Sequence, residues 1–501
     1  MKEFSHRSRT ESIKKMKDEK FDLLIIGGGI TGAATARDAA MRGLKVALVE
    51  KSDFAEGTSS RSSKLAHGGF RYLENMQFKL VFEALSERTQ LLKNVPEMVK
   101  PLKFYFPVYK KDKHGIFIIN LGMWLYDLLS LFRTPGFHKR LSKKRLLKDV
   151  PFLKKEGLKG GFRYYDASMW DDVLTVEVMR DAHAHGAEVA NYVEAVDPIF
   201  EDEKLTGFAV KDREANELFV VQAQKTIVCA GPWTDLVGSK LSKDWKPWLE
   251  PSKGVHLVFD LKKIPVPGAM VMSHPKDGRI SFVIPRKDMG KGVVIVGTTD
   301  GPTPENPEKA EVEKADIDYL LALLNRYYPN LDITEDDILS AYVGVRPLMG
   351  SNAEDLQKIS REHHIGEGPG GSVVVAGGKY TTFRTMAQEI VDFAFPKSKH
   401  ANTKVSINSN PILKNEDTDE IESQLRFEIK NRMVIHLEDF LIRRTSLFLE
   451  HKNFDQSTIQ NLAKILIEKT GRSSEDVEKE TQRYQEEANK REKWRSHNPQ
   501  Q

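Results

Sequence analysis

At 501 residues the chain is too long for one hydrophobic core and long enough for two or three domains around a large cofactor. Hydrophobic residues at 40% and charged residues at 30% exclude a protein of several membrane spans, and a net charge of +4 favours anionic ligands or lipid headgroups without the strongly basic signature of nucleic-acid binding. The single cysteine, Cys229, excludes an intrachain disulfide and a cysteine-ligated metal centre, so no metal is expected and a reducing compartment fits best.

Residues 1–20 mix both charge signs, lack the apolar stretch of a secretory signal and read as a disordered arm. Glu3, Glu11, Asp18 and Glu19 argue against a mitochondrial transit peptide, which favours a bacterial cytoplasmic protein. Residues 21–26 form an apolar run that stops at Gly27 and predict a buried parallel strand. The alanine-rich stretch 31–42 predicts a helix broken by Gly43, and residues 45–50 a second strand, which together make a βαβ unit.

Gly27-Gly28-Gly29-Ile30-Thr31-Gly32 lies where the first strand meets the helix, and Glu50 follows at the next strand end. Gly27 permits the tight turn, Gly29 lets backbone amides approach a pyrophosphate, and Gly32 allows close packing of helix on strand. The helix amino terminus then favours the phosphates. Glu50 would accept hydrogen bonds from a ribose diol and repel a ribose phosphate, so the nucleotide is FAD or NAD rather than NADP. The polar run Gly57-Thr58-Ser59-Ser60-Arg61-Ser62-Ser63-Lys64 reads either as the wrapping of a long dinucleotide, which favours FAD, or as an ordinary loop.

Further along, residues 116–132 (IFIINLGMWLYDLLSLF) are strongly apolar and flanked by Lys110, Lys111, Lys113, Arg133, Lys139 and Arg140. The segment holds Asn120 and Asp127 and is marginal as a span; it reads either as a core helix or as a helix lying at a membrane surface. Strand-to-glycine junctions at 226–231 and 372–378 predict further strands opening onto the same crevice. Spaced strands at 256–259, 280–284 and 293–296 predict a mostly antiparallel sheet. From about Ser406 glycine nearly vanishes, which marks a helical tail.

Several of these patches, in this order, resemble the FAD-dependent, quinone-linked glycerol-3-phosphate dehydrogenases. They are residues 22–29, the stretch 59–74 (SSRSSKLAHGGFRYLE), Gly297-Thr298-Thr299-Asp300, Gly344-Val345-Arg346-Pro347, Gly377-Gly378-Lys379-Tyr380-Thr381-Thr382-Phe383-Arg384 and residues 439–445 (DFLIRRT). The chain departs from the family at Phe383, where tyrosine is usual, in its extra charged arm and in its short tail.

The resemblance implies an α/β fold with a Rossmann-type FAD-binding domain, an inserted, mainly antiparallel substrate domain and a C-terminal helical domain. The expected partition assigns 21–96, 161–248 and 350–400 to the first, 97–160 and 249–349 to the second, and 401–501 to the third. Cofactor contacts are expected from Gly27, Gly28, Gly29, Ile30, Thr31, Gly32, Glu50, Lys51, Thr58, Ser59, Ser60, Ser63, Lys64, Leu65, His67, Gly68, Gly69, Val193, Gly231, Trp233, Gly378, Lys379, Tyr380 and Thr381. The implied reaction takes sn-glycerol 3-phosphate to dihydroxyacetone phosphate by hydride transfer to flavin N5, with electrons passed to membrane quinone at the inner face of the cytoplasmic membrane. A homodimer is the assembly to test for.

Such chemistry needs guanidinium groups for the phosphate and a base for the hydroxyl proton. Arg71, Arg346, Arg361 and Lys379 are the substrate-binding candidates, and His67, His256 and Tyr72 stand open as bases. Two rivals share the fold: an amine or amino-acid oxidase using its arginine for a carboxylate, and a non-catalytic flavin-binding partner protein. The sequence has no second glycine fingerprint for a nicotinamide nucleotide.

Overall fold

The computed structural model describes residues 3–350, 363–407, 409–410, 418–450 and 454–497. Two sheets organise them. In the first, strands His363–Glu367, Val373–Gly377, Glu217–Val228, Lys20–Ile26, Val46–Val49 and Glu188–Ala190 lie side by side in that order. All pairings from Val373–Gly377 to Glu188–Ala190 are parallel, and His363–Glu367 adds an antiparallel edge. Leu23, Leu24, Ile25 and the whole of Val46–Val49 are buried, as expected for parallel strands covered on both faces. One cover is the helix Ile30–Met41, whose Ala33, Ala36 and Ala39 are small enough to bring it close to its neighbours Asp171–Ala184 and Phe383–Ala394.

The second sheet is mainly antiparallel. Strands Gly301–Pro302, Ser252–Asp260, Val293–Gly297, Ile280–Arg286, Ala269–Ser273, Val99–Tyr109, Leu158–Met169 and Leu65–Ala66 follow one another, and Ile338–Arg346 pairs with Ser252–Asp260 on the side. The expected strands at 226–231, 256–259, 280–284, 293–296 and 372–378 are therefore present with longer or slightly shifted ends. Strand Leu158–Met169 and the short Leu65–Ala66 differ from the expected partition. The partition places Leu65–Ala66 and all of Leu158–Met169 from residue 161 onward on the nucleotide side, yet both strands hydrogen-bond into the second sheet, where Leu158–Met169 runs beside Val99–Tyr109 over its whole length.

The expected disordered arm is ordered instead. Ser5 caps the helix His6–Asp18, with its hydroxyl taking the Arg7 amide and its amide donating to Ser8. Ile13 and Met16 are buried, Arg9 pairs with Asp212 at 2.6 Å, and Ser12 donates to Glu188. Phe4 is buried beside Phe54, and its carbonyl takes the Met433 amide. Mixed charge resembled a solvated arm because its acidic partners lie nearly two hundred residues away.

The tail contains helices Thr418–Asn431, Gln456–Thr470 and Asp476–Glu492 and a π-helical turn at Asp439–Arg444. Among the described residues no helix is long and apolar enough to cross a membrane.

Candidate functional site

A cavity of about 1980 Å³ runs between the two sheets. Its nucleotide end is shaped by backbone sterics. Gly27 has φ +114°, and a Cβ there would come within 2.4 Å of the Cys229 carbonyl oxygen. A Cβ on Gly32 would lie 1.9 Å from the Gly27 carbonyl oxygen. Gly29 differs: a Cβ would meet only the Ser59 hydroxyl, at 3.1 Å, because the rest of its surroundings is open. Gly29 is also the amino-terminal cap of helix Ile30–Met41, with no side-chain cap and no acid in the first turn. The helix start is thereby left available to an anion.

Glu50 accepts the Gly28 amide at 2.6 Å and the Ser52 amide at 2.9 Å, and burial pushes its carboxyl up despite both bonds. Trp233 lines the same end, and its indole Nε1 is buried without a hydrogen-bond partner. An open cradle, a helix start whose Ile30 amide is met, among the described residues, only by the Ser59 hydroxyl, and an orphaned donor are what a dinucleotide would fill, so these residues fit the expected FAD.

Of the expected cofactor residues, Gly27, Gly29, Ile30, Thr31, Glu50, Lys51, Thr58, Ser59, Ser63, Leu65, His67, Gly69, Val193, Gly231, Trp233, Gly378, Lys379, Tyr380 and Thr381 line the cavity. Gly28, Gly32, Ser60, Lys64 and Gly68 do not. Lys64 is the clearest correction: its ammonium is buried between Asp171 and Asp172, which hold its pKa up although burial opposes the charge. Gly68 packs where a Cβ would strike Leu85 and the Tyr126 hydroxyl at 2.5 Å, so it is glycine for fit. The Tyr380 hydroxyl also turns away, donating to the Asp171 carbonyl at 2.5 Å.

The other end collects residues far apart in sequence. Arg346 closes strand Ile338–Arg346 and is held from two sides. Its Nη1 donates to the Ser252 hydroxyl and the Lys253 carbonyl, its Nη2 to Thr298 and the Thr299 carbonyl, and Asp300 lies 3.3 Å away. About a fifth of its side chain stays exposed on the cavity wall. His256, on the strand paired with it, stacks on Tyr342 at 4.8 Å and meets the Ser63 hydroxyl through Nε2 at 2.8 Å. Its Nδ1 is buried without a partner. Burial, then the Arg346 and Lys64 charges, push the imidazole down to about 3, so it is neutral at physiological pH.

Lys379 follows Gly377 and Gly378, both at positive φ, and its ammonium sits 3.7 Å over the Tyr72 ring. His67 faces Phe282 edge-on. Arg71 belongs to the 3-10 turn Phe70–Leu73 beside this wall, and Arg361 lies outside the described residues. Arg279 was not foreseen. It lines the cavity, donates to the Asp300 carbonyl at 2.8 Å and contacts Asp277 at 3.5 Å. It sits in a plain polar turn, and only the fold brings it to Asp300.

The segment 116–132 becomes helix Ile116–Leu129 with two faces. Ile119, Met123 and Tyr126 are buried, and the Tyr126 hydroxyl donates to Asp166. Phe117, Ile118, Leu121, Trp124 and Leu128 are exposed, as are Leu131, Phe132 and Phe137 beyond the helix. All six flanking basic residues are exposed too.

Residues 22–391 match the model of the FAD dependent oxidoreductase family. An aerobic glycerol-3-phosphate dehydrogenase of Staphylococcus haemolyticus (strain JCSC1435) is 36% identical over 521 residues, covering 91% of this chain and 93% of that protein. One from Staphylococcus saprophyticus is 41% identical over 393 residues, covering 78% of this chain and 70% of that protein. Among solved structures, the glycerol-3-phosphate dehydrogenase from Bacillus halodurans complexed with FAD aligns with a TM-score of 0.79 at 27% identity, over 97% of this chain and 98% of that one. A glycine oxidase from Bacillus cereus aligns at 0.56 with 20% identity, over 79% and 100%, which is a likeness of fold alone.

Proposed function

Because the chain belongs to the FAD-dependent oxidoreductase family, among the aerobic glycerol-3-phosphate dehydrogenases, we propose that it oxidises sn-glycerol 3-phosphate to dihydroxyacetone phosphate at the Arg346 end of the cavity. The observation that carries this reading is Arg346 itself, a guanidinium oriented by five protein contacts yet open to the cavity, beside a neutral histidine.

The substrate phosphate is a dianion, and Arg346, Arg71 and Lys379 are the groups assigned to it, with Arg361 as a fourth. When bound along the glycine cradle, FAD supplies the acceptor for the electron pair that leaves the carbinol carbon as hydride at N5. His256 is the favoured base over His67 and Tyr72, because Ser63 and Tyr342 fix its ring and its Nδ1 is orphaned. Its low basicity in the resting site answers to burial first and to Arg346 second. Offsetting the Arg346 charge with phosphate removes part of the second cause, so the imidazole gains basicity as substrate arrives. The Tyr72 hydroxyl is a weaker candidate, since its ring lies under the Lys379 ammonium.

Electrons are proposed to pass on to membrane quinone. The bare apolar face of helix Ile116–Leu129, ringed by exposed lysines and arginines, supports peripheral contact with an anionic inner leaflet. Anaerobic mixing of the yellow protein with glycerol 3-phosphate, glycerol and glycine tests the whole reading. Glycerol 3-phosphate should bleach the flavin absorbance; bleaching by glycine alone would turn the assignment to an amino-acid oxidase.

A further inference from the structure

The helix Asp476–Glu492 was expected to belong to a separate tail, yet one side of it lines the cavity. Arg483, Glu487, Lys490, Arg491 and, just beyond the helix, Trp494 recur at helical spacing on that side. Each end of the row is fastened. Arg483 lies 3.1 Å from Glu438 and 5.4 Å over the ring of Tyr192, whose amide donates to the Ser52 carbonyl next to Glu50. Arg491 lies 3.3 Å from Glu56, a carboxylate also held by Arg61 at 2.7 Å and by Arg443. On the far side Trp494 is 3% exposed and packs into the core of the second sheet, while Arg495 donates to the Ile338 carbonyl at 3.3 Å and Lys493 meets Glu311 at 3.0 Å. The helix thus crosses from the nucleotide loop of one sheet to the other over the cavity's Glu50 end.

We propose that this helix is the outer wall of the cofactor site, in which Lys490 and Arg491 hold the adenosine-diphosphate half of FAD and Trp494 latches the wall to the second sheet. The proposal rests on the reading that FAD lies along the glycine cradle. The ligand chemistry fits: a pyrophosphate carries negative charge, and Lys51 and Arg213 already line this end, with Arg213 donating to the Lys51 carbonyl at 3.0 Å. Glu487 pairs with Arg491 at 2.6 Å, and Lys490 stands exposed at the rim, where its charge is felt by Glu308 on the same lining. Release of FAD then requires the wall to lift, so the tail sets how long the cofactor stays.

The test follows FAD loss from diluted holoenzyme by the fluorescence of free flavin, at low and high salt, in wild type, Arg491→Ala and Lys490→Glu. Both variants should lose FAD about tenfold faster at low salt, and the wild-type advantage should shrink as salt rises. ADP added to the holoenzyme should displace FAD less readily from both variants than their faster loss alone would allow. Unchanged loss rates in both variants overturn the proposal, as does acceleration in Arg491→Ala with Lys490→Glu like wild type, which marks a packing role only. A wild-type protein that holds no FAD overturns the underlying cofactor reading as well, and is told apart by its lack of colour.

Discussion

Arg346 and the pair Arg443–Arg444 are both strongly enclosed guanidinium groups in short, motif-like stretches, but their surroundings balance charge differently. Arg346 keeps 19% of its side chain exposed and is held largely by hydroxyls and carbonyls, with Asp300 beside it. Arg443 and Arg444 are 2% and 0% exposed and are enclosed by Asp53, Asp439 and Glu56. Burial pulls their pKa values down, and these carboxylates more than restore them. Arg443 and Arg444, surrounded by carboxylates in the interior, tie the tail to the nucleotide loop, whereas Arg346, with one carboxylate beside it and hydrogen bonds to hydroxyls and carbonyls, stands at a cavity wall that an anion can reach.

The comparison breaks most visibly at Asp53. Asp53→Ala leaves two buried guanidinium groups short of a carboxylate, and about 3–5 kcal/mol of unfolding free energy should vanish in a denaturant titration. Wild-type stability in that variant would mean the pair is not matched in the way described. Arg346→Ala should act on the other side of the comparison. It should fold and hold FAD but lose about a hundredfold or more in kcat/KM for glycerol 3-phosphate, with Arg346→Lys a poor rescue. Near-normal turnover in the alanine variant would remove Arg346 from the substrate site.

Two histidines sharpen the same contrast through pH. Burial works against charge on His436, but hydrogen bonds with Glu214 and Glu480 push it up to about 9. The folded protein binds that proton more tightly than the unfolded chain. The contribution is therefore complete below pH 6.5 and is lost as pH climbs to about 9. His256, held down to about 3, has the opposite sign: its contribution is complete above pH 6.5 and is lost as pH falls toward about 3. Thermal midpoints from pH 6.5 to 9 should fall less steeply in His436→Gln than in wild type, by the equivalent of about 1–2 kcal/mol. Parallel curves would show that the imidazolium does not bind the tail.

The smallest effect is expected at the exposed apolar face, where Leu121→Ser with Trp124→Ser should weaken binding to anionic vesicles while leaving flavin content alone. Binding of the wild type should itself weaken at high salt. If co-sedimentation with vesicles is absent at every salt concentration, the face serves another partner.

The strand–helix–strand frame of the nucleotide end was legible because hydrophobic periodicity is local. Gly32 answers to the Gly27 carbonyl in its own turn and Glu50 reaches the Gly28 amide from the next strand, whereas the clash that keeps Gly27 a glycine comes from the Cys229 carbonyl, far along the chain. Lys64 misled for a non-local reason. A lysine in a serine-rich loop looks available to phosphates until Asp171 and Asp172, over a hundred residues on, claim it. The helix at residues 6–18 was missed in the same way, since its acidic partners are remote.

Sequence by itself determined the βαβ unit, the glycine turn, the existence of the spaced strands and, through ordered motifs, the family. These follow from backbone sterics and hydrophobic periodicity, which act over a few neighbouring residues. Only the tertiary structure decided which cations face the cavity and which are spent: Arg346 beside His256, Arg443 on Asp53 from 390 positions away, and the Asp476–Glu492 helix across the nucleotide end. The strength and use of a charge depend on burial and on partners in space, and pairing across such separations is chosen by the topology of the whole chain rather than by its local pattern.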